Sequence, residues 1–300
     1  MRNLLSANFA RLWRCVWFWL GGLGILGYTL WELSEMFSWA LGPNGGHPAD
    51  YLSSRIADFT VPLFLILAAL CPLFLNEDYH NGTLRNKIVV GRTRAQVYLA
   101  NYFALLAAAL FYAAVHVALS VGAVCLVKSH IWVWEDTAKA LLPCLPYILG
   151  ITALFTLLGM LVRSRAVSIV AILLAVGLLW LPQHLFRHLC ILPAQPDWDK
   201  VTQTLEPNEE GDFDLVYWQD GRRVEEDDLE MIPDPRYVDE PLRSLYYFGM
   251  EAFPGGQAFL LCQSLPLERG SPGLLAAYSL GLFVLAGGGG LLAFRRMDLK

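Results

Sequence analysis

The sequence predicts an all-α membrane protein with six transmembrane helices, both ends cytoplasmic, and a small α+β extracytoplasmic insertion between helices five and six. Three observations predict it. Of 300 residues, 56% are hydrophobic and 16% charged, against about 25% charged in soluble domains, and the mean hydropathy is +0.44. Six apolar runs approach the roughly 20 residues that cross hydrocarbon. The basic residues cluster in alternate loops.

The first run, Leu12–Trp31, exceeds the length of a signal-peptide core. Trp31 and Glu32 stand where small residues would mark a cleavage site, so it is expected to remain as a helix. Before it, Leu4, Leu5, Phe9, Leu12 and Trp13 recur at helical spacing, with Arg2, Asn3 and Arg11 on other faces. That pattern fits a short interfacial helix and equally fits the start of the span. The second run is Ile56–Leu75. The third, Val97–Val127, is long enough to tilt or to extend past the bilayer. Leu141–Val162, Val167–Ile191 and Gly273–Phe294 complete the set. Pro62, Pro72, Pro143, Pro146 and Pro182 are expected to bend or unwind helices two, four and five. Gly21, Gly22, Gly24 and Gly27 in the first helix, and Gly287 to Gly290 in the last, let backbones approach closely, within the chain or across a dimer.

Orientation follows from short loops. Arg2, Arg11 and Arg14 precede the first helix; Arg85, Lys87, Arg92 and Arg94 follow the second; Arg163 and Arg165 follow the fourth; Arg295, Arg296 and Lys300 follow the sixth. The other side has Arg55 in one short loop, and Lys128 and Lys139 in another. The positive-inside rule makes the richer side cytoplasmic. Trp31, Trp39, Trp132, Trp134 and Trp180 then form an outer aromatic belt. The chain divides into 1–191, holding helices one to five with a cytoplasmic loop at 76–96; an acidic outer segment at 192–272; and 273–300, the sixth helix and a basic tail.

The outer segment carries Asp212, Asp214, Asp220, Glu225, Glu226, Asp227, Asp228 and Glu230. Leu215, Tyr217 and Val224 flank the turn signal Asp220–Gly221, so Phe213 to Val224 reads as a hairpin. The acidic run reads as a solvated face, since no D-x-[DN]-x-[DN]-G calcium loop is present. Such a face is soluble, and it would also attract cationic peptides. Cys190 and Cys262 both fall near the outer face, where a disulfide and two free thiols are each compatible with their placement.

Chemical motifs are sparse. GxxxxGK[ST], HExxH and GxSxG are missing, so neither a nucleotide site nor an enzyme is expected. No basic face suggests nucleic acid. No CxxC pair or other metal-ligand spacing occurs among the six cysteines. Paired carboxylates within the spans are also not seen, and His116 reads as the one ionisable residue at depth. It either bonds a neighbouring helix or lines a substrate path. The loop NEDYHNGTLRNKIVVGRTRAQVY, Asn76 to Tyr98, has a turn at Asn81–Gly82 and a short helix to Val90 capped by Thr83. Gly91 breaks that helix and Thr93 caps the next. This compact basic element has the shape of a docking surface.

Four features resemble ABC-2 type permeases, the membrane subunits of ABC exporters. They are Asn8, Phe9 and Arg11 before helix one; Glu77 to Lys87 followed by Gly91, Arg92 and Arg94; Phe253-Pro254-Gly255-Gly256-Gln257 before the last helix; and the close Phe294-Arg295-Arg296-Met297-Asp298-Leu299-Lys300. The resemblance implies a multi-pass bacterial plasma-membrane protein with a separate ATP-binding ABC subunit docked on the loop. Glu77, Gly82, Thr83, Arg85, Lys87, Arg92 and Arg94 would form the ATPase-coupling set. ATP and Mg would bind the partner, with no cofactor in this chain, and two permease chains would pair as a homodimer or heterodimer. The cargo would be a peptide or amphipathic compound. The outer segment is larger than a minimal family member carries. It leaves open a non-transport receptor or assembly factor that binds ligands through that segment.

Overall fold

A computed structural model describes residues 2–40, 55–126, 134–161, 166–207, 213–219, 221–225, 228–263 and 271–297. Lys128, Trp132, Arg163, Arg165, Asp212, Asp220, Glu226, Asp227 and Lys300, all used above, lie outside the described residues. The chain is mostly helical. Among the described residues, five helical segments are long and apolar enough to cross a membrane: Thr60–His80, Arg94–Leu126, Thr137–Leu161, Ile169–Leu189 and Pro272–Arg296.

The N-terminal ambiguity resolves as two helices, α1 (Arg2–Arg14) and α2 (Val16–Ala40), parted at Cys15. Leu4, Asn8 and Leu12 bury one face of α1. At the corner the Trp19 indole N–H donates to the Trp13 carbonyl at 2.9 Å, satisfying a helix-end acceptor. α2 has 25 residues. Its Trp, Tyr and Gly residues and Glu32 lower its hydropathy, and it is not among the five.

α3 (Thr60–His80) is the central helix, packed by α2, by α5 (Arg94–Leu126) and by α7 (Cys144–Leu161). Between α3 and α5 lies α4 (Thr83–Val89), and α6 (Trp134–Leu141) leads into α7. Helices this apolar are compatible with a lipid surround, where close packing and polar contacts hold a bundle together. Gly21 and Gly159 show this: a Cβ at either would come within 2.8 Å of Ile66 or Leu75 on α3. Of the bending prolines, Pro72 lies inside α3 and Pro182 inside α8 (Ala166–Leu189). Pro62, Pro143 and Pro146 do not fall mid-helix. They stand at or before the first turns of α3 and α7, where no hydrogen bond is lost.

Residues His184–Tyr247 form a separate compact unit. β1 (Ala194–Pro196) pairs antiparallel with β5 (Met231–Pro233). β2 (Val201–Pro207), β3 (Phe213–Gln219) and β4 (Arg222–Val224) form a three-stranded antiparallel sheet. The expected hairpin is β3–β4, turned by Gly221 at φ 77. β2 was not anticipated: its Thr204 hydroxyl accepts the Trp218 indole N–H at 2.9 Å across the sheet. Glu230 of the acidic run accepts from Lys200 at 3.1 Å. After β5, the Asp234 carboxylate accepts the Arg236 amide and guanidinium, each at 2.8 Å. These bonds hold the Asp234 carboxyl below its usual value. A depressed carboxyl stabilises the turn above about pH 4 and loses that contribution as pH falls through its folded value. Exchange of the Arg236 amide is therefore expected to accelerate in acid, relative to a neighbouring β5 amide. Asp234→Asn should abolish that difference, and a wild-type ratio independent of pH would count against the turn.

The expected outer segment 192–272 is thus divided. Phe248–Gln263 belongs with the helical body, not with the strand unit. α9 (Leu242–Ala252) breaks at Phe253, and α10 (Pro254–Gln263) packs on α3 and α7. Gln257 is buried, donating to the Glu251 carbonyl and accepting from Ser279, both at 2.8 Å. The last helix also departs from expectation. α11 (Pro272–Phe283) passes through a π-helical turn at Val284–Gly288 into α12 (Gly289–Arg296). The glycine run permits that wider turn, and Gly290 lets the chain close on Tyr98. Cys190 and Cys262 are free thiols.

Candidate functional site

The buried stripe of α3 runs Leu63, Leu67, Cys71, Phe74, Leu75 and ends at Asp78. Helical periodicity carries that stripe inward and turns neighbouring Glu77 outward. Asp78 is 2% exposed. Oδ1 accepts the Thr83 hydroxyl at 2.6 Å and Oδ2 accepts the Lys87 ammonium at 2.9 Å. Arg11 of α1 closes on Oδ1, its guanidinium lying 3.8 Å over the Phe74 ring.

The network continues across the bundle. Lys87 also donates to Asn8 Oδ1 at 3.2 Å, and Asn8 donates to Asn101 Oδ1 at 2.7 Å. Asn101 of α5 reaches Met160 Sδ at 3.8 Å, and Tyr79 donates to the Met160 carbonyl at 2.5 Å. One buried carboxylate therefore ties α1, α3, α4, α5 and α7 at one end of the bundle. Burial draws the Lys87 ammonium below its usual value, with Asp78 acting against that shift. Two cations face one anion, so the site depends on Asp78 remaining ionised.

The network fixes α4 rigidly to α3. Gly82, at φ 64, is the N-cap residue of α4, in the left-handed region. Thr83 was expected to cap the helix. It is instead the first helical residue, and its hydroxyl is directed to Asp78. Gly91, at φ 88, ends the element. Thr93 does cap α5: its hydroxyl accepts the Gln96 amide while Gln96 accepts the Thr93 amide, both at 3.3 Å.

The expected coupling residues separate by role. Glu77 and Arg85 are exposed and Arg92 is half-buried. Val89 and Val90 are exposed at the tip. Lys87 is turned inward to Asp78. Arg94 donates to the carbonyls of Arg295, at 3.0 Å, and Met297, capping the C-terminus of α12. Sequence reasoning missed Asn8, Asp78 and Asn101 as a set. The signal available was Asp78 lying on the helical repeat of Cys71 and Leu75.

His116 does not join this network. It lies near the other end of α3, 1% exposed, with Nδ1 at 2.9 Å from the Thr29 hydroxyl. The expectation that it stood alone needs correction. Glu32 is buried beside it, with Oε2 at 3.9 Å from Nε2, and Arg55 lies 3.7 Å from Glu32 and 3.5 Å from the buried Asp58. Glu32 fell just past the first apolar run and Asp58 at the edge of the second, so neither looked buried in sequence. Thr60 to His80 is 21 residues, about 30 Å of helix, close to the thickness of hydrocarbon. Asp58 and Asp78 therefore mark opposite ends of one helix long enough to span. Among the described residues no group of His, Cys, Asp and Glu is arranged to hold a metal ion. Comparison with protein-family models, curated proteins and solved structures gave no match.

Proposed function

We propose that this chain is the permease subunit of an ATP-driven exporter of the ABC-2 type, moving a peptide or amphipathic compound across the plasma membrane. One observation carries the reading. A seven-residue helix with an exposed Val89–Val90 tip is braced to the central helix through a buried ion network. A partner pressing on α4 would move α3, α1 and α5 together, which is what coupling requires. In this reading α2 is the sixth span, both ends are cytoplasmic, ATP and Mg bind the partner ATPase, and two permease chains pair.

The refined coupling surface is Arg85, Val89, Val90 and Arg92, with Glu77 beside it. Lys87 and Arg94 hold the element in place. The test is a mild-detergent pull-down of tagged full-length protein from native membranes, with bound proteins identified by mass spectrometry. A stoichiometric protein carrying a Walker A loop is expected. Arg85→Glu with Val89→Asp and Val90→Asp should reduce its recovery at least tenfold while the permease stays monodisperse. Native preparations without an ATPase would overturn the reading. They would favour the receptor alternative, for which the folded unit His184–Tyr247 supplies a binding module.

A further inference from the structure

The second polar cluster has no role in the coupling argument. It draws on four elements. α2 supplies Thr29, Glu32 and Tyr28, whose hydroxyl donates to Glu32 Oε1 at 3.0 Å. The turn before α3 supplies Arg55 and Asp58; α5 supplies His116; α10 supplies Cys262. Glu35, one residue short of a full turn further along α2, is exposed.

Two features of this cluster go together. Glu32 and Asp58, 6% and 2% exposed, both face Arg55, at 3.7 and 3.5 Å. Two buried carboxylates against one guanidinium leave a negative charge in excess, so one of them holds a proton. The second feature is His116. The Thr29 hydroxyl donates its hydrogen to the Ile25 carbonyl at 2.8 Å. With its hydrogen on that carbonyl, the hydroxyl 2.9 Å from Nδ1 accepts, the arrangement in which Nδ1 carries the ring hydrogen. Nε2 is left with a bare lone pair. It is buried, has no hydrogen-bond partner, and lies 3.9 Å from Glu32 Oε2. A buried acceptor without a partner is costly, and here it adjoins an acid holding a proton.

The geometry points to a proton-binding site formed by Glu32, Asp58 and His116, with the carboxyl pair as one position for the proton and His116 Nε2 as the other. Charge supports occupancy. With one proton on the acid pair, a single negative charge faces Arg55, and the ring is neutral. Moving that proton from the carboxyl oxygen to Nε2 leaves two carboxylates facing Arg55 and an imidazolium, which is again balanced. Losing it to water leaves one buried negative charge in excess. The proton is therefore held in the cluster, and its transfer to Nε2 requires Glu32 Oε2 and Nε2 to close from 3.9 Å to hydrogen-bonding distance. Arg55, with a side chain 42% exposed, is the side of the cluster that reaches solvent. The site lies about 30 Å from the Asp78 network, and its existence does not depend on an ATPase partner.

The test uses the full chain in lipid nanodiscs, followed by infrared spectroscopy of the carboxylic C=O stretch in light and heavy water. A protonated-acid band is expected at neutral pH in the wild type. It should be lost in both Glu32→Gln and Asp58→Asn, and should shift in frequency in His116→Gln. Absence of the band in the wild type, or its survival unchanged in both acid variants, overturns the proposal. A second reading needs no variant. Nitrogen chemical shifts of His116 at neutral pH should report a neutral ring protonated at Nδ1. A neutral ring protonated at Nε2 would remove the acceptor and with it the site.

Discussion

Asp78→Asn is expected to destabilise the helical body by roughly 3–5 kcal/mol, the cost of removing one partner from a buried ion pair. The asparagine keeps the volume and can still bond Thr83, so the loss isolates the charge. Arg11 and Lys87, with side chains 23% and 19% exposed, would then oppose each other with no anion between them. The readout is thermal unfolding of the full chain in detergent, together with protease sensitivity at α1. Because Arg11 and Asn8 hold α1 to the bundle only through this network and a narrow apolar face, α1 should be released first. Adding Lys87→Met to Asp78→Asn should recover part of the loss, since one stranded cation is removed. If Asp78→Asn is no less stable than Glu77→Gln, the buried network is not what binds α4 to the bundle.

The contrast between Glu77 and Asp78 shows how far the sequence could be read. Its acid-Gly-Thr-basic pattern drew attention to the segment that holds Asp78 and α4, and Gly82, Gly91 and Thr93 delimit α4 and α5 much as turn and capping chemistry predicts. Which acid faces inward was also written there, in the repeat Leu67, Cys71, Leu75, Asp78. Motif resemblance directed attention to Glu77 instead. The same repeat applies elsewhere. Phe18, Ile25, Thr29, Glu32 and Met36 are all buried along α2, and a scan for acids on that stripe would have flagged Glu32 without any structure.

Other features were not legible locally. Asn8 meets Asn101 across 93 positions of sequence, and nothing in either segment names the other. The apolar runs located the five long helices, because length and hydropathy are properties of a single segment. They could not distinguish α10, whose ten residues are too few to span. Its place in the bundle rests on contacts with α3 and α7. Hydropathy sets α2 apart from the five as well, although its Gly21 packs closely against Ile66 of α3. The Pro254-Gly255-Gly256-Gln257 stretch was visible as a pattern, but the steric reason for it appears only in three dimensions.

That reason supports the second large expected effect. A Cβ on Gly255 would overlap the backbone carbonyl of Leu178, and one on Gly256 would overlap the backbone of Met250. Neither obstacle is the flexible end of a side chain, so relief requires moving α8 or the α9–α10 turn. Overpacking of this kind costs about 1–3 kcal/mol where the core can yield, and more where backbone must move. Gly255→Ala is therefore expected to cost at least about 3 kcal/mol. Gly177→Ala, at a glycine on α8 with open space around its Cβ position, should change stability by less than about 1 kcal/mol and carries the control. The displacement has a direction as well as a cost. α10 carries Gln257, which bonds Ser279 of α11, and Ala258, whose carbonyl accepts the Thr60 hydroxyl at 2.9 Å. Pushing α10 away from α8 should weaken both bonds and expose the Cys262 thiol, which lies on the same helix. Maleimide labelling of Cys262 should thus rise in Gly255→Ala and stay at the wild-type rate in Gly177→Ala. Equal labelling in the two variants, with equal melting temperatures, would mean that the close approach at Gly255 is not tight enough to constrain the fold.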